Sequence, residues 1–409
     1  MGSRLLLTNA SVFDGDRRLP GRRTVVVAEG LIRELAESPV AAAAEDRTVD
    51  LAGRTLMPGL IDAHFHPASP GLDVARIDAM PASYLALDAR AHLEAALSRG
   101  FTTVRDAGGG DAGLARATSE GLIRGPRLLV AGKALSQTGG HGDMRAAGAI
   151  PMCGCGYHGA LSAVVDGADA MRLAVREELR RGADHVKVFV SGGVLSPTDP
   201  LWMDQFTDAE IRAAVEEAAT RRTYVMAHAH TAAAALRSAR LGVRSIEHGT
   251  LIDAPTAAEL ARSGTFVVPT LAVIEALREA PVPLPPGAAE KLAGLADEAH
   301  RAVEACAKAD VPLGLGTDLF GVLRDRQADE LVIRARLQGA GEALRAATRT
   351  NARLIGYEGR LGTVAVGAIA DLLVLDGDPL EDITLFTRPT ASLRLVLREG
   401  RPLIDRLAG

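Results

Sequence analysis

The sequence predicts an α/β fold: a (β/α)8 TIM-like barrel over residues 56–358, beside a small β-sandwich built jointly from residues 1–55 and 359–409. Two observations predict the barrel. Between residues 56 and 318, short runs rich in β-branched residues alternate with alanine-rich stretches apolar at i, i+3 and i+4, the signature of strands and helices in turn and hence of parallel pairing. There are eight such runs, the number that closes a barrel. A third observation predicts the sandwich: both flanks read as strands separated by turns, and each is too short to fold alone.

In chain order, the first flank supplies RLLLTNASVFDGD, RTVVVAEGLIREL and RTVDLAGR. The barrel runs follow as LMPGLIDAHFH (56–66), TTVRDAG (102–108), RLLVAG (127–132), HVKVFVSGG (185–193), YVMAHAH (224–230), SIEHGT (245–250), FVVPTLA (266–272) and PLGLGTD (312–318). Helical stretches such as SYLALDARAHLEAALSRG and TDAEIRAAVEEAATRR separate them, several ended by glycine. A helical pattern from Ala328 to Ile355 joins the barrel to the last flank, GTVAVGAIADLLVLDGDP and SLRLVLREGRPLID.

Composition narrows the function. The 409 residues are 47% apolar and 24% charged, ordinary for a soluble globular chain. A net charge of −5 without like-charge blocks points away from nucleic acid and from anionic membranes, and towards a small-molecule substrate. The N-terminal run is too short for a signal segment and no stretch is long enough to span a bilayer, so a cytoplasmic location is expected. Three cysteines do not make a disulfide framework. Cys153 and Cys155, near His158, lack the paired spacing of a structural zinc site and read as thiols in a glycine-rich loop.

His64 and His66 stand one residue apart at the end of the first run, so a strand there would turn both imidazoles to one face. Lys187 lies in the fourth run, His228 and His230 end the fifth, His248 the sixth and Asp318 the eighth. In a barrel of this kind the strands' C-terminal ends form the active-site mouth, and these residues converge there as a metal site would. Lysine itself is informative. Of 46 basic residues only Lys133, Lys187, Lys291 and Lys308 are lysines, so Lys187 within an apolar run asks for chemistry that arginine cannot supply.

The ordered set PGLIDAHFH, TTVRDAGG, HVKVFVSGG, AHAH, SIEHG, GTD and GAIADLLVLDGDP resembles the amidohydrolase superfamily, and within it the prolidase-like and imidazolonepropionase-like branch, from about residue 5 to 405. That resemblance implies two divalent metal ions, zinc first, with manganese, cobalt or nickel as alternatives. It implies His64, His66 and Asp318 on one metal, His228 and His248 on the other, and Lys187 as a bridging N6-carboxylysine. A buried lysine loses its proton readily, and the neutral amine can add carbon dioxide.

The implied reaction is amide hydrolysis by a metal-bridging hydroxide, with Asp318 as the catalytic acid/base. His141 and His230 are expected to contact the substrate, in particular its carboxylate. The expected substrates are dipeptides or N-acyl amino acids, as for a dipeptidase. A cyclic amide, or a bulky aromatic N-acyl amino acid such as a toxin amide, is the alternative. A non-catalytic scaffold is disfavoured because every ligand position is filled. A homo-oligomer is the expected assembly. The long loop from Ser136 to His158 reads as a pocket wall, Trp202 as a second lining residue, and Arg324 and Arg326 as candidates for an acidic substrate group.

Overall fold

The computed structural model describes residues 3–145, 159–196, 199–279 and 283–407. Cys153, Cys155 and His158 lie outside the described residues.

Seven parallel barrel strands succeed one another: Leu60–Phe65, Phe101–Asp106, Arg127–Leu129, Val186–Phe189, Val225–Thr231, Ser245–Leu251 and Phe266–Val268. Both faces of these strands are buried almost throughout, because side chains fill the barrel on one side and helices cover the other. The eighth run is not a full ladder. It bridges Leu313 to Val267, then donates from Gly314 N to Val267 O (2.8 Å) and from Asp318 N to His64 O (2.9 Å), while Leu315 O accepts from Ala63 N at 2.9 Å. These bonds close the barrel between the first and seventh strands.

The third strand departs from the sequence expectation. It breaks after Leu129 and resumes as Ala134–Ser136, which pairs with Val188 of the fourth strand on one side. On its other side it takes up Ser162–Val164, a strand the sequence reading assigned to no element.

Helix boundaries follow local chemistry. Thr207 and Glu210 form a reciprocal capping box ahead of Asp208–Thr220. Asp253 caps Ala254–Ser263, which Gly264 ends in the left-handed conformation. The helical link to the last flank is broken at Gly339 into Asp329–Gln338 and Ala340–Arg345.

Both chain ends meet in the sandwich. Leu5–Val12 pairs with Arg23–Ala28 and Arg47–Asp50, then passes through Ser11 and Val12 to Thr55–Pro58. Thr55–Pro58 pairs with Leu372–Leu375, which continues to Leu393–Arg398 and Arg401–Asp405. Leu372–Leu375 is apolar at every position because it has two buried faces. Leu372 and Val374 enter the sandwich core with Leu7 and Val25, while Leu373 and Leu375 pack towards the barrel with Leu93 and Phe101. Each such burial contributes roughly 1.5–3 kcal/mol, so the sandwich and the barrel are held together along this strand.

Candidate metal centre and active site

His64, His66, His141, Lys187, His228, His230, His248 and Asp318 all line one cleft at the C-terminal ends of the barrel strands. Period-two alternation puts them there. His64 and His66 face the barrel axis, while Phe65 between them points into the packing layer against Leu93 and Phe101.

Hydrogen bonds fix the two imidazoles of the first strand. His64 Nδ1 donates to Glu247 Oε2 at 2.8 Å, and His66 Nδ1 donates to the Gly108 carbonyl at 2.9 Å. Both acceptors lack a proton to give, so Nδ1 is the donor in each ring and Nε2 is the nitrogen turned towards the cleft. Asp318 Oδ1 lies 3.3 Å from His64 Nε2 and 3.2 Å from His66 Nε2. Nε2 of both rings and the Asp318 carboxylate therefore converge on one point of the cleft. The ligand atoms of His64, His248 and Asp318 all lie within 4.8 Å of one another, so this donor set fits a divalent metal.

The other histidines are anchored as well. His248 Nδ1 is 2.7 Å from Thr270 Oγ1, and His230 Nδ1 is 2.8 Å from Thr250 Oγ1. His228 is turned the other way: its Nε2 donates to the Gly192 carbonyl at 3.2 Å and leaves Nδ1 as the unprotonated nitrogen. Its ring centroid lies 4.5 Å from that of His248 and 4.7 Å from that of His230. His248, Thr270 and Asp318 all take left-handed φ angles, 69°, 49° and 55°. Strain of this kind costs about 1–3 kcal/mol per residue and collects at functional positions.

Lys187 is 1% exposed, and burial pushes its ammonium down to about 8 against the pull of Glu247 and Asp318. His230 is likewise held neutral, at about 3, by burial.

A buried frame beneath the cleft was missed in the sequence reading. Arg105 Nη2 binds both oxygens of Glu247 at 2.9 and 3.0 Å, its Nε donates to Ala63 O, and its Nη1 to Ser245 Oγ. Burial would raise the Glu247 carboxyl, yet Arg105 and His64 hold it down at about 2. Asp62 accepts from Thr317 Oγ1 at 2.6 Å and from Gln327 Nε2 at 3.0 Å, fixing the backbone just before Asp318. Arg105, Glu247 and Asp62 all sit inside the motif runs. A charged residue in an otherwise apolar strand was the available signal.

Three expectations are corrected. Trp202 is 76% exposed and absent from the cleft lining. Arg324 is occupied by Asp88, and Arg326 by Asp329 and Glu279, so neither faces substrate. The remaining wall is mostly apolar, with Met144, Leu161, Phe189, Ile274, Leu277 and Phe320 among its residues.

A parallel barrel whose strand ends bring imidazoles, a buried lysine and a carboxylate into one apolar cleft belongs to the class of barrel hydrolases with a metal centre. The chain belongs to the amidohydrolase family, which it matches over residues 55–402. It is 36% identical over 355 residues to the ochratoxinase of Aspergillus niger, covering 82% of this chain and 73% of that protein. The crystal structure of A. niger ochratoxinase superimposes with a TM-score of 0.87 at 30% identity, over 98% of this chain and 96% of that one. A prolidase crystallised with N-methylphosphonate-L-proline gives a TM-score of 0.94 at 43% identity, over 98% of this chain and 100% of that one. Among the described residues no helix is long and apolar enough to cross a membrane.

Proposed function

We propose that this protein is a binuclear metal-dependent hydrolase that cleaves the amide bond of a dipeptide or an N-acyl amino acid. The observation that carries the reading is the convergence of Nε2 of His64 and Nε2 of His66 on the Asp318 carboxylate, next to a fully buried Lys187, in an otherwise largely apolar cleft.

In this reading His64, His66 and Asp318 hold one cation, His228 and His248 hold the other, and Lys187 joins the two as an N6-carboxylysine. Zinc suits the imidazole and carboxylate donors best, with manganese, cobalt or nickel able to replace it. When bound, the ions supply Lewis acidity and a water acidic enough to act as a nucleophile at neutral pH. The chain supplies the rest. Asp318 takes the proton of the attacking water and passes it to the leaving nitrogen, so the C–N bond breaks as hydroxyl adds to the carbonyl carbon. His141 and His230 receive the substrate's polar end, its carboxylate first. Leu161, Ile274 and Leu277 exclude water around the acyl side chain, which favours apolar and aromatic groups over charged ones.

The apolar wall also supports the bulkier alternative, an aromatic N-acyl amino acid of the kind suggested by the likeness to ochratoxinase. A mononuclear hydrolase of a cyclic amide is less well supported, since a single ion leaves Lys187 without a partner to bridge.

The test is amine release from dipeptides, N-acyl amino acids and cyclic amides, using zinc-loaded enzyme in bicarbonate and pairing each acid with its C-terminal amide. Turnover that needs the free carboxylate, with about two metal equivalents per chain, is the expected result. Turnover of cyclic amides alone, or one equivalent after growth in excess metal, would overturn it.

A further inference from the structure

Lys291 is one of the four lysines in this arginine-preferring chain, and its ammonium does something a guanidinium cannot. From the helix Ala288–Leu292 its Nζ donates to three backbone carbonyls of another segment: Gly193 at 2.7 Å, Ser196 at 2.7 Å and Asp199 at 2.8 Å. Three donors on one nitrogen can meet three oxygens arranged as a tripod, whereas arginine's donors lie in a plane. All three carbonyls belong to the connection that follows the fourth barrel strand.

That connection carries the surroundings of His141. Ser196 Oγ lies 2.7 Å from His141 Nδ1, and Asp199 Oδ2, fully buried, lies 3.4 Å from the same nitrogen. Asp199 Oδ2 in turn accepts from Gly193 N at 3.0 Å and Gln205 Nε2 at 3.2 Å, and Gln205 Oε1 accepts from His141 N at 3.0 Å. The imidazole is clasped between two surfaces. On one side it stacks on His228 with centroids 4.4 Å apart. On the other it lies so close to Gly193 that a Cβ there would come within 2.1 Å of the ring. The Gly192 carbonyl, from the same connection, is the group that orients His228.

We infer that Lys291 is a positioning residue for substrate recognition: by tying Gly193, Ser196 and Asp199 together it holds His141 in the orientation that receives the substrate's carboxylate. The inference rests on the proposed role of His141 as that receptor. Lys291 itself does not line the cleft. Its effect passes through Ser196, Asp199 and the glycine face.

The experiment uses zinc-loaded full-length protein with Lys291→Arg, Lys291→Met and Ser196→Ala, read by amide hydrogen exchange and by kinetics on an acid and its C-terminal amide. Both Lys291 variants are expected to speed exchange at Gly192 and Gly193 and to raise KM for the acid about tenfold, the scale of one charge-assisted hydrogen bond. KM for the amide and kcat should stay within about threefold. Ser196→Ala, which leaves the tie intact, should reproduce the KM split with no change in exchange. Lys291→Arg with wild-type exchange and wild-type KM would overturn the tie, because charge alone would then suffice. If the wild-type enzyme does not distinguish acid from amide, the carboxylate role of His141 fails instead, and hydrogen exchange still decides whether Lys291 orders the connection.

Discussion

Nδ1 of His64 donates to Oε2 of Glu247 across 2.8 Å, a bond that joins the first barrel strand to the sixth beneath the cleft. Glu247 is fully buried, gripped through both oxygens by Arg105, and followed in sequence by His248. A single carboxylate therefore fixes the tautomer of one candidate ligand and the strand position of another. Such partners raise ligand basicity and hold the ring in place.

Replacing Glu247 by glutamine should weaken metal binding by about 10- to 100-fold. It should also destabilise the fold by roughly 3–5 kcal/mol, because Arg105 is left as an uncompensated buried charge. Adding Arg105→Met to that variant removes the stranded charge and should recover stability without recovering metal affinity. Metal titration and denaturant unfolding of the two variants check this. Wild-type affinity in Glu247→Gln would refute the account.

Lys187 gives a pH dependence with a definite sign. Only the neutral amine adds carbon dioxide, and burial places the lysine at about 8. Roughly a tenth of it is then neutral at pH 7, against about 0.03% of an ordinary lysine. At fixed dissolved carbon dioxide, reconstitution of metal-free protein should accelerate about tenfold from pH 6 to 7 and flatten above about pH 8.5. A rate that climbs steadily to pH 10 would mean an unperturbed lysine. Lys187→Ala should lose the second metal and most activity while keeping the fold.

The barrel and the residues at its mouth were legible because strand period and chain position both survive in sequence: His64 and His66 share a face by alternation, and Asp318 ends the eighth run. What escaped has no local signature. Arg105 and Glu247 are 142 residues apart, and only barrel closure brings them together. The break at Leu129 and the added strand Ser162–Val164 lie in a segment whose glycines gave no periodicity to follow. Trp202 and Arg324 were singled out by residue type, but exposure and an ion pair decide their roles. His228 and His230 are anchored differently, one by the Gly192 carbonyl and the other by the Thr250 hydroxyl, which the His-Ala-His spacing does not show.

Asp318→Asn should separate binding from turnover. Asparagine tolerates the left-handed φ of 55° as well as aspartate does, so backbone strain is unchanged. It keeps an oxygen beside His64 and His66 but no longer accepts a proton at neutral pH. Metal content should therefore fall less than kcat, which is expected to drop about 10²- to 10⁴-fold. Equal losses in both would assign Asp318 to metal binding alone.

Gly316→Ala tests the closure of the barrel. A Cβ at Gly316 would lie 2.6 Å from His64 Cβ, 2.6 Å from Val268 Cγ1 and 2.8 Å from His64 N, so neither neighbouring strand can give way cheaply. The φ of this glycine is not in the left-handed region, which leaves space as the reason for the residue. Overpacking of this kind costs about 1–3 kcal/mol. The same displacement moves the eighth run, and with it Asp318, away from His64 and His66. Gly316→Ala should thus lose stability and metal together, whereas Asp318→Asn keeps stability and loses turnover. Calorimetry and metal analysis of the two variants side by side distinguish these patterns. A Gly316→Ala protein with unchanged Tm and full metal content would show that the eighth run is free to adjust and that closure does not position Asp318.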